Sequence, residues 1–411
     1  MKLNKTETIL VTFIFLISVF GRNLTGLYIF NYRIGEFIIA FLFVALHVFA
    51  YIEKNSVYKK IYIILLSIFY LKFFSVVFIL DSLLLFRFSS SIWVIAFFII
   101  GQRVNLNKYN FLIINFTALV VLYFLNYINY PDPIRSYFIQ NSDKFDFTKP
   151  SDLFLIFAIT IFLIYKVFKL KFFILSYALL SILYLPIFYY QSRGSLIAYI
   201  FLSTLFITDI LNNKIVINLY KIIFFLFISL LIPVSFFISN LENINTFDNV
   251  VTTNNFSIDL EQKNFPDAMF YIDSPLIKSV DENINWRLSI WQNTLLDIKK
   301  SNQILFGNPI NDPIPIMNHP YYKTIKLENY NLHNFLIQFF AYFGIIGTSV
   351  LVYFYYNIVK SYINNNKIVD ILILILPVIL VSSFDSSMES VRFPVIFYFS
   401  LGLVSKKNFF K

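Results

Sequence analysis

Cysteine is absent from the 411-residue sequence, and histidine occurs only at positions 47, 319 and 333. Without thiols there are no disulfides, no Fe–S clusters and no thiolate zinc sites. Three scattered histidines form no metal site that a sequence can reveal. A Gly-rich phosphate loop, a nucleophile-elbow serine and a paired-histidine zinc motif are likewise missing. Charge is scarce too, since 14% of residues are Asp, Glu, Lys or Arg against about 25% in a soluble domain.

What is present in quantity is apolar surface. Hydrophobic residues make up 58% of the chain and the mean hydropathy is +0.71, more than a soluble core can absorb. A helix needs about 20 apolar residues to cross the hydrocarbon core. Runs of that kind lie at 8–21, 34–52, 61–80, 82–101, 111–129, 152–169, 172–190, 194–211, 217–238, 334–355, 367–384 and 391–405. The expectation is therefore an all-α polytopic membrane protein with about twelve transmembrane helices, forming a single membrane domain over residues 1–411. The first run follows Lys2 and Lys5 with no small-residue cleavage site after it, so it reads as an anchor rather than a removed signal.

A formal net charge of +10 suggests nucleic acid until its placement is considered. Lys54, Lys59 and Lys60, Arg103 and Lys108, Lys166, Lys169 and Lys171, Lys214 and Lys221, and Lys360 and Lys367 all fall in every second loop, together with both termini. Cytoplasmic loops carry such an excess. Both termini are therefore expected in the cytoplasm, and no nucleic-acid partner is implied.

The opposite, outer set of loops contains two long segments: a smaller loop over 130–151, and a larger one over 239–333 between the ninth and tenth helices. Loops this long are usually functional or disordered. The larger one contains a helical stripe, Ile284, Leu288, Trp291, Leu295 and Ile298, and is expected to be partly helical. Asp281 or Asn283 can cap its start, and Lys299 and Lys300 suit its negative end. Arg287 falls at the edge of that stripe, where it could meet a phosphate or simply solvate the rim. Residues 240–280 carry no clear fold signal, and His319-Pro320 reads as a turn.

Three outer features stand out. Arg193 lies in Gln-Ser-Arg-Gly (191–194) at a helix junction, where positive charge is disfavoured; it either meets an anion or snorkels at the interface. His333, in Asn-Leu-His-Asn (331–334), opens a helix whose dipole disfavours the imidazolium. It could act as a general base near pH 7 or anchor the chain at the interface. Asp385, Glu389 and Arg392 cluster at the turn joining the last two helices, suited either to substrate binding or to a structural ion-pair group. Within the bilayer, Arg87 with Asp81 is a further candidate for substrate binding, while His47 and Lys72 read as structural.

The order of these features carries more than any one of them. A Ser-Arg-Gly turn before a helix is followed by an Arg-x-x-x-Trp helix (287–291) and Phe-Gly-Asn-Pro (306–309). His-Asn then opens a helix containing Gly-Ile-Ile-Gly (344–347). Over residues 185–405 this pattern resembles the O-antigen polymerase and O-antigen ligase superfamily. The resemblance implies a bacterial inner-membrane glycosyltransferase of lipopolysaccharide biosynthesis, independent of metal and without a cofactor. Its substrate would be an undecaprenyl-diphosphate-linked oligosaccharide at the periplasmic face, with membrane lipid around it and a chain-length regulator as a candidate partner. By the same resemblance Arg193 and Arg287 would bind the diphosphate and His333 would activate the acceptor hydroxyl. A polymerase, which transfers the glycan to another lipid-linked repeat unit, is favoured over a ligase, which transfers it to lipid A core. A repeat-unit flippase is the alternative of another class, but no half-to-half similarity is evident and transporter loops are generally short.

Overall fold

A computed structural model of the protein describes residues 5–29, 32–35, 37–38, 56–74, 90–127, 132–141, 149–212, 270–273, 276–279, 282–309, 332–363, 368–390, 392–406 and 409–410. The helices are α1 (Lys5–Gly26), α2 (Val57–Phe74), α3 (Ser90–Arg103), α4 (Lys108–Tyr127), α5 (Asp132–Asn141), α6 (Pro150–Val167), α7 (Leu170–Gln191), α8 (Arg193–Asn212), α9 (Glu282–Lys300), α10 (Phe335–Ile363), α11 (Ile368–Ser382) and α12 (Arg392–Val404). Two short antiparallel hairpins accompany them: β1 (Tyr28–Ile29) with β2 (Tyr32–Arg33), and β3 (Phe270–Asp273) with β4 (Leu276–Ser279).

Among the described residues, five helical stretches are long and apolar enough to cross a membrane: Lys108–Leu125, Pro150–Val167, Leu170–Gln191, Arg193–Ile210 and Phe335–Tyr362. Shorter apolar helices cover Val11–Gly21, Val94–Arg103, Ile368–Ser382 and Arg392–Val404. The expected runs at 217–238 and, apart from a few residues, 34–52 lie outside the described residues. Arg87, Asp81, His47 and His319 lie outside them as well. Of the smaller loop, residues 132–141 form α5 rather than an irregular connection.

α6 is the axis of the bundle. Pro150 at its first position costs nothing, because the missing N–H would have no helical partner there. From Ser151 to Ile164 every side chain is buried. A helix that is apolar all round must be surrounded, and α4, α7, α8, α11 and α12 pack against it. Close packing elsewhere depends on small residues, as membrane helices commonly require. α3 and α12 meet at Gly101 and Gly402, where an added methyl would overlap the facing backbone at Phe399 and Phe98 respectively. Buried hydroxyls tie α7 to α8, with Tyr177 Oη 2.5 Å from Ser203 Oγ and Tyr199 Oη donating to Ser181 Oγ at 2.7 Å.

α10 is broken at Gly344, whose φ of 60° and ψ of −164° fall in a region essentially reserved for glycine. Residues 303–309 dock into that break. Ile345 N donates to Ile304 O at 2.9 Å, Ile346 N to Leu305 O at 3.2 Å, and Asn308 N to Ala341 O at 2.7 Å. Lys72 Nζ, from the last turn of α2, donates to Gly307 O and Asn308 O, both at 3.0 Å. Lys72 is thus a structural clasp, as its sequence position suggested, and the break in α10 anchors the chain that follows α9.

The two ends of the bundle differ in chemistry. At one end Lys166 pairs with Asp370, Lys406 donates to the Val104 carbonyl, and Lys108 donates to Phe410 O at 2.9 Å. At the other end Arg392 pairs with Asp152. Asp152 and Lys166 are fourteen residues apart on α6, so the two ends lie about 21 Å apart along its axis.

Candidate active site

The end of the bundle marked by Asp152 gathers residues from five separate stretches of chain. The first is the entry to α8. Ser192 caps that helix, accepting from Ser195 N at 3.2 Å through its hydroxyl and from Leu196 N at 3.1 Å through its carbonyl. Arg193 is thereby fixed as the first helical residue, with its side chain exposed. A cation at the positive end of a helix is electrostatically unfavourable by itself, and the same arrangement attracts an anion. Gly194, the next residue, lies directly against Phe384 in the turn after α11.

The second stretch is α9. Its first turns were expected to present Arg287 at the rim of an apolar stripe, but the helix is rotated from that reading. The residues turned inward are Ile290, Thr294 and Ile298, with Arg287 and Trp291 half-buried on the same side, whereas Leu295 is 41% exposed. Arg287 therefore lies along the buried face. Its guanidinium is accommodated because Nη1 donates to Phe384 O at 2.8 Å. Its Nε is buried and has no hydrogen-bond partner among the described residues. Lys299 and Lys300 do occupy the last turn, as expected, while Asp281 lies outside the described residues. β4 is strapped to this helix by Gln292, whose amide accepts from Ile277 N and donates to Ile277 O, both at 2.8 Å.

The third stretch opens α10. Asn334 caps the helix through Oδ1, accepting from Ile337 N at 3.1 Å. Leu332 is held at both backbone groups: its N–H donates to Gln338 Oε1 at 2.9 Å, and its carbonyl accepts from Trp291 Nε1 at 2.7 Å. Between these fixed neighbours His333 adopts a φ of +51°, unusual for any residue other than glycine and costing on the order of 1 kcal/mol. Its ring lies 5.3 Å from that of Trp286, inclined by 59°. The strain turns the imidazole toward α9 and the Phe384 turn instead of continuing the chain into helix.

The fourth and fifth stretches are paired across the site. Asp385, at the head of a 3-10 turn (Ser386–Glu389), forms an ion pair with Lys149 at 2.5 Å; Lys149 is the residue before α6. Burial lowers the proton affinity of His333 below its ordinary 6.5; the Asp385 carboxylate opposes this, and the Arg287 and Lys149 charges add to it. The net result is a neutral imidazole at pH 7. Burial disfavours the Asp385 carboxylate, but the neighbouring Lys149, with smaller effects from the Ser151 hydroxyl and His333, outweighs it and holds the group below its ordinary 3.8.

Arg287, His333 and Asp385 thus meet at the Phe384 turn, and Gly194, the residue after Arg193, touches the same turn. Arg392 is close in sequence but differently placed. It is 3% exposed and committed to Asp152, so it braces the end of α12 against α6. Lys149 was missed in the sequence, although the rule that singles out Arg193, a cation at an outer helix junction, applies to it equally. The acceptor role of the Phe384 carbonyl left no sequence signal. Among the described residues, no group of three or more His, Cys, Asp or Glu side chains is placed to hold a metal ion.

Two cations, Arg287 and Lys149, and the Asp385 carboxylate act on a buried histidine at the end of an apolar helical bundle, and Arg193 opens the helix whose next residue touches the same turn. This is a membrane protein with a site able to receive an anion and a proton side by side. Residues 178–352 match the family model for O-antigen ligase, and this segment contains Arg193, Arg287 and His333. The resemblance to the O-antigen polymerase and ligase superfamily therefore holds over that segment. No curated protein matches the chain.

Proposed function

We propose that the protein is an O-antigen polymerase, a metal-independent glycosyltransferase that moves a glycan from undecaprenyl diphosphate to another lipid-linked repeat unit. The site would face the periplasm, with the lysine-rich end of the bundle and both termini in the cytoplasm, as positive charge favours. The observation that carries the reading is the convergence of Arg287, from the middle of the large loop, and His333, from its end, on the turn that also touches Gly194.

In the reaction the acceptor hydroxyl attacks the anomeric carbon, and the bond from that carbon to the diphosphate oxygen breaks. His333, neutral because it is buried among cations, takes the hydroxyl proton. Negative charge collects on the departing diphosphate, where Arg193 and Arg287 offer guanidinium donors, that of Arg287 held by the Phe384 carbonyl before the reaction begins. Arg287 is held by the Phe384 carbonyl through Nη1, which leaves Nη2 to meet the ligand. Arg193 adds the positive end of α8 to its own charge.

A ligase, which would use the same donor site but transfer to lipid A core, is the second reading, favoured by the description of the family model matched. The two separate in one experiment. Purified protein in lipid discs is incubated with lipid-linked repeat units alone, then with lipid A core added. Long lipid-linked chains in the first incubation support the polymerase; product only after core is added supports the ligase. No glycosyl transfer in either would overturn both.

A further inference from the structure

The ion pair between Lys149 and Asp385 lies beside His333 but has no part in the transfer as derived above. Lys149 belongs to the smaller loop, not to the large one. Its backbone is fixed, because its carbonyl accepts from Asp152 N and Leu153 N, both at 3.0 Å, in starting α6. Asp152 is itself held by Arg392. The ammonium is therefore carried at the head of a deeply buried helix and meets Asp385 across the site at 2.5 Å. An exposed pair would be worth little. Here the side chains are 26% and 19% exposed, and the carboxylate faces an imidazole.

An aspartate facing a histidine is ordinarily its partner. It would hold the imidazolium, which favours proton uptake from solvent. Such a histidine would be protonated before any acceptor hydroxyl arrived. Lys149 provides a competing cation for the same carboxylate. Among the described residues, the charged and titratable groups facing His333 are Arg287 from α9, Asp385 from the turn after α11, and Lys149 from before α6. Of these only Asp385 favours the imidazolium, and Lys149 is the residue bonded to it.

We propose that Lys149 is a positioning residue. By holding the Asp385 carboxylate, it keeps that group from capturing His333 as an imidazolium, and so leaves the imidazole free to accept the proton of the acceptor hydroxyl. This rests on His333 being the base, so the test reads His333 directly as well as through activity. The full-length protein is labelled at its three histidines, reconstituted in lipid discs and titrated by NMR, with the His333 signal assigned by its loss in His333→Gln.

In Lys149→Met the His333 titration should move to higher pH by on the order of one unit. The acid limb of the pH–rate profile should move with it. Lys149→Arg should leave the titration in place. Asp385→Asn, and the double variant Lys149→Met with Asp385→Asn, should both titrate at or below the native value; these keep the test open should Lys149→Met fold poorly. A Lys149→Met protein that loses rate while its His333 titration stays at the native position would overturn the proposal, because a merely structural lysine behaves that way. If His333→Gln keeps the native rate and acid limb, the base reading fails instead, and the NMR titration still decides whether Lys149 governs the proton affinity of His333.

Discussion

Gly194→Ala should leave the fold intact and still slow the enzyme, because it perturbs the site through a contact that holds no substrate. Gly194 is the second residue of α8 and is not in the left-handed region, so alanine suits its backbone and, as a better helix former, would tend to stabilise the helix. A methyl there would lie 2.8 Å from Phe384 Cβ and 3.5 Å from its Cγ. Carbon atoms pack at about 3.5 Å or more, so the Phe384 main chain must retreat by about 0.7 Å. Cβ is bound directly to the backbone, so a change of rotamer cannot relieve the overlap. That retreat moves the carbonyl that accepts from Arg287 Nη1 at 2.8 Å, and with it Asp385 next in the chain. A charge-assisted hydrogen bond of this kind contributes about 1.5–3 kcal/mol, which sets the expected loss of rate at roughly 10- to 100-fold. The assay is the initial rate of chain extension on lipid-linked repeat units in discs, alongside thermal unfolding of the same preparation. Phe384→Gly removes the obstructing atom, so the double variant Gly194→Ala with Phe384→Gly should be faster than the product of the two single effects. A Gly194→Ala protein with native rate, or one slowed only in proportion to lost folded protein, would refute the coupling of Gly194 to Arg287 through Phe384.

Three other outcomes follow from the same geometry. Rate should fall as the solution is acidified through a value below 6.5, since proton uptake removes the neutral imidazole of His333 and burial lowers the pH at which this happens; a rate that rises on acidification would exclude His333 as base. Arg287→Lys should cost on the order of 100-fold in rate with normal folding, because one ammonium cannot hold the Phe384 carbonyl and present a planar fork to a diphosphate as well; a rate within a few-fold of native would argue that charge alone suffices. Arg392→Met strands the Asp152 carboxylate inside the bundle and should destabilise it by about 3–5 kcal/mol, seen as a lower unfolding temperature in detergent, with Asp152→Leu in the same chain restoring most of the loss.

Hydropathy was enough to place the helices that matter here, since a run such as Leu153–Ile164 has no exposed alternative. The same information could not foresee two features. The 270–279 hairpin is held to α9 by a glutamine fifteen residues from the strand it bonds, a contact without local periodicity. Gly-Ile-Ile-Gly (344–347) reads as two tolerated glycines in one long helix, whereas the backbone breaks at the first of them. That break exists only because residues 304–308 supply the missing hydrogen-bond partners, and the need for glycine arises from backbone that sits 36–40 residues away in the chain.

The site was legible to the degree that its residues break a rule on their own. Arg193 and His333 do so by standing at helix starts, where cations are disfavoured, and both are where the sequence put them. Arg287 reads from the sequence as the rim of the apolar stripe, whereas the structure sets it along the inward face. A hydrophobic stripe is computed from what side chains prefer in isolation, and an arginine always counts toward water. What turns it inward is the Phe384 carbonyl, left without a helical partner where α11 ends. The features that make this a site and not three separate cations, namely that carbonyl, the lack of a side chain at Gly194 and the hold of Lys149 on Asp385, are all contacts between distant parts of the chain. For that reason a substitution at Gly194, which bears no charge and touches no ligand, is a sharper test of the arrangement than removal of any of the cations it brings together.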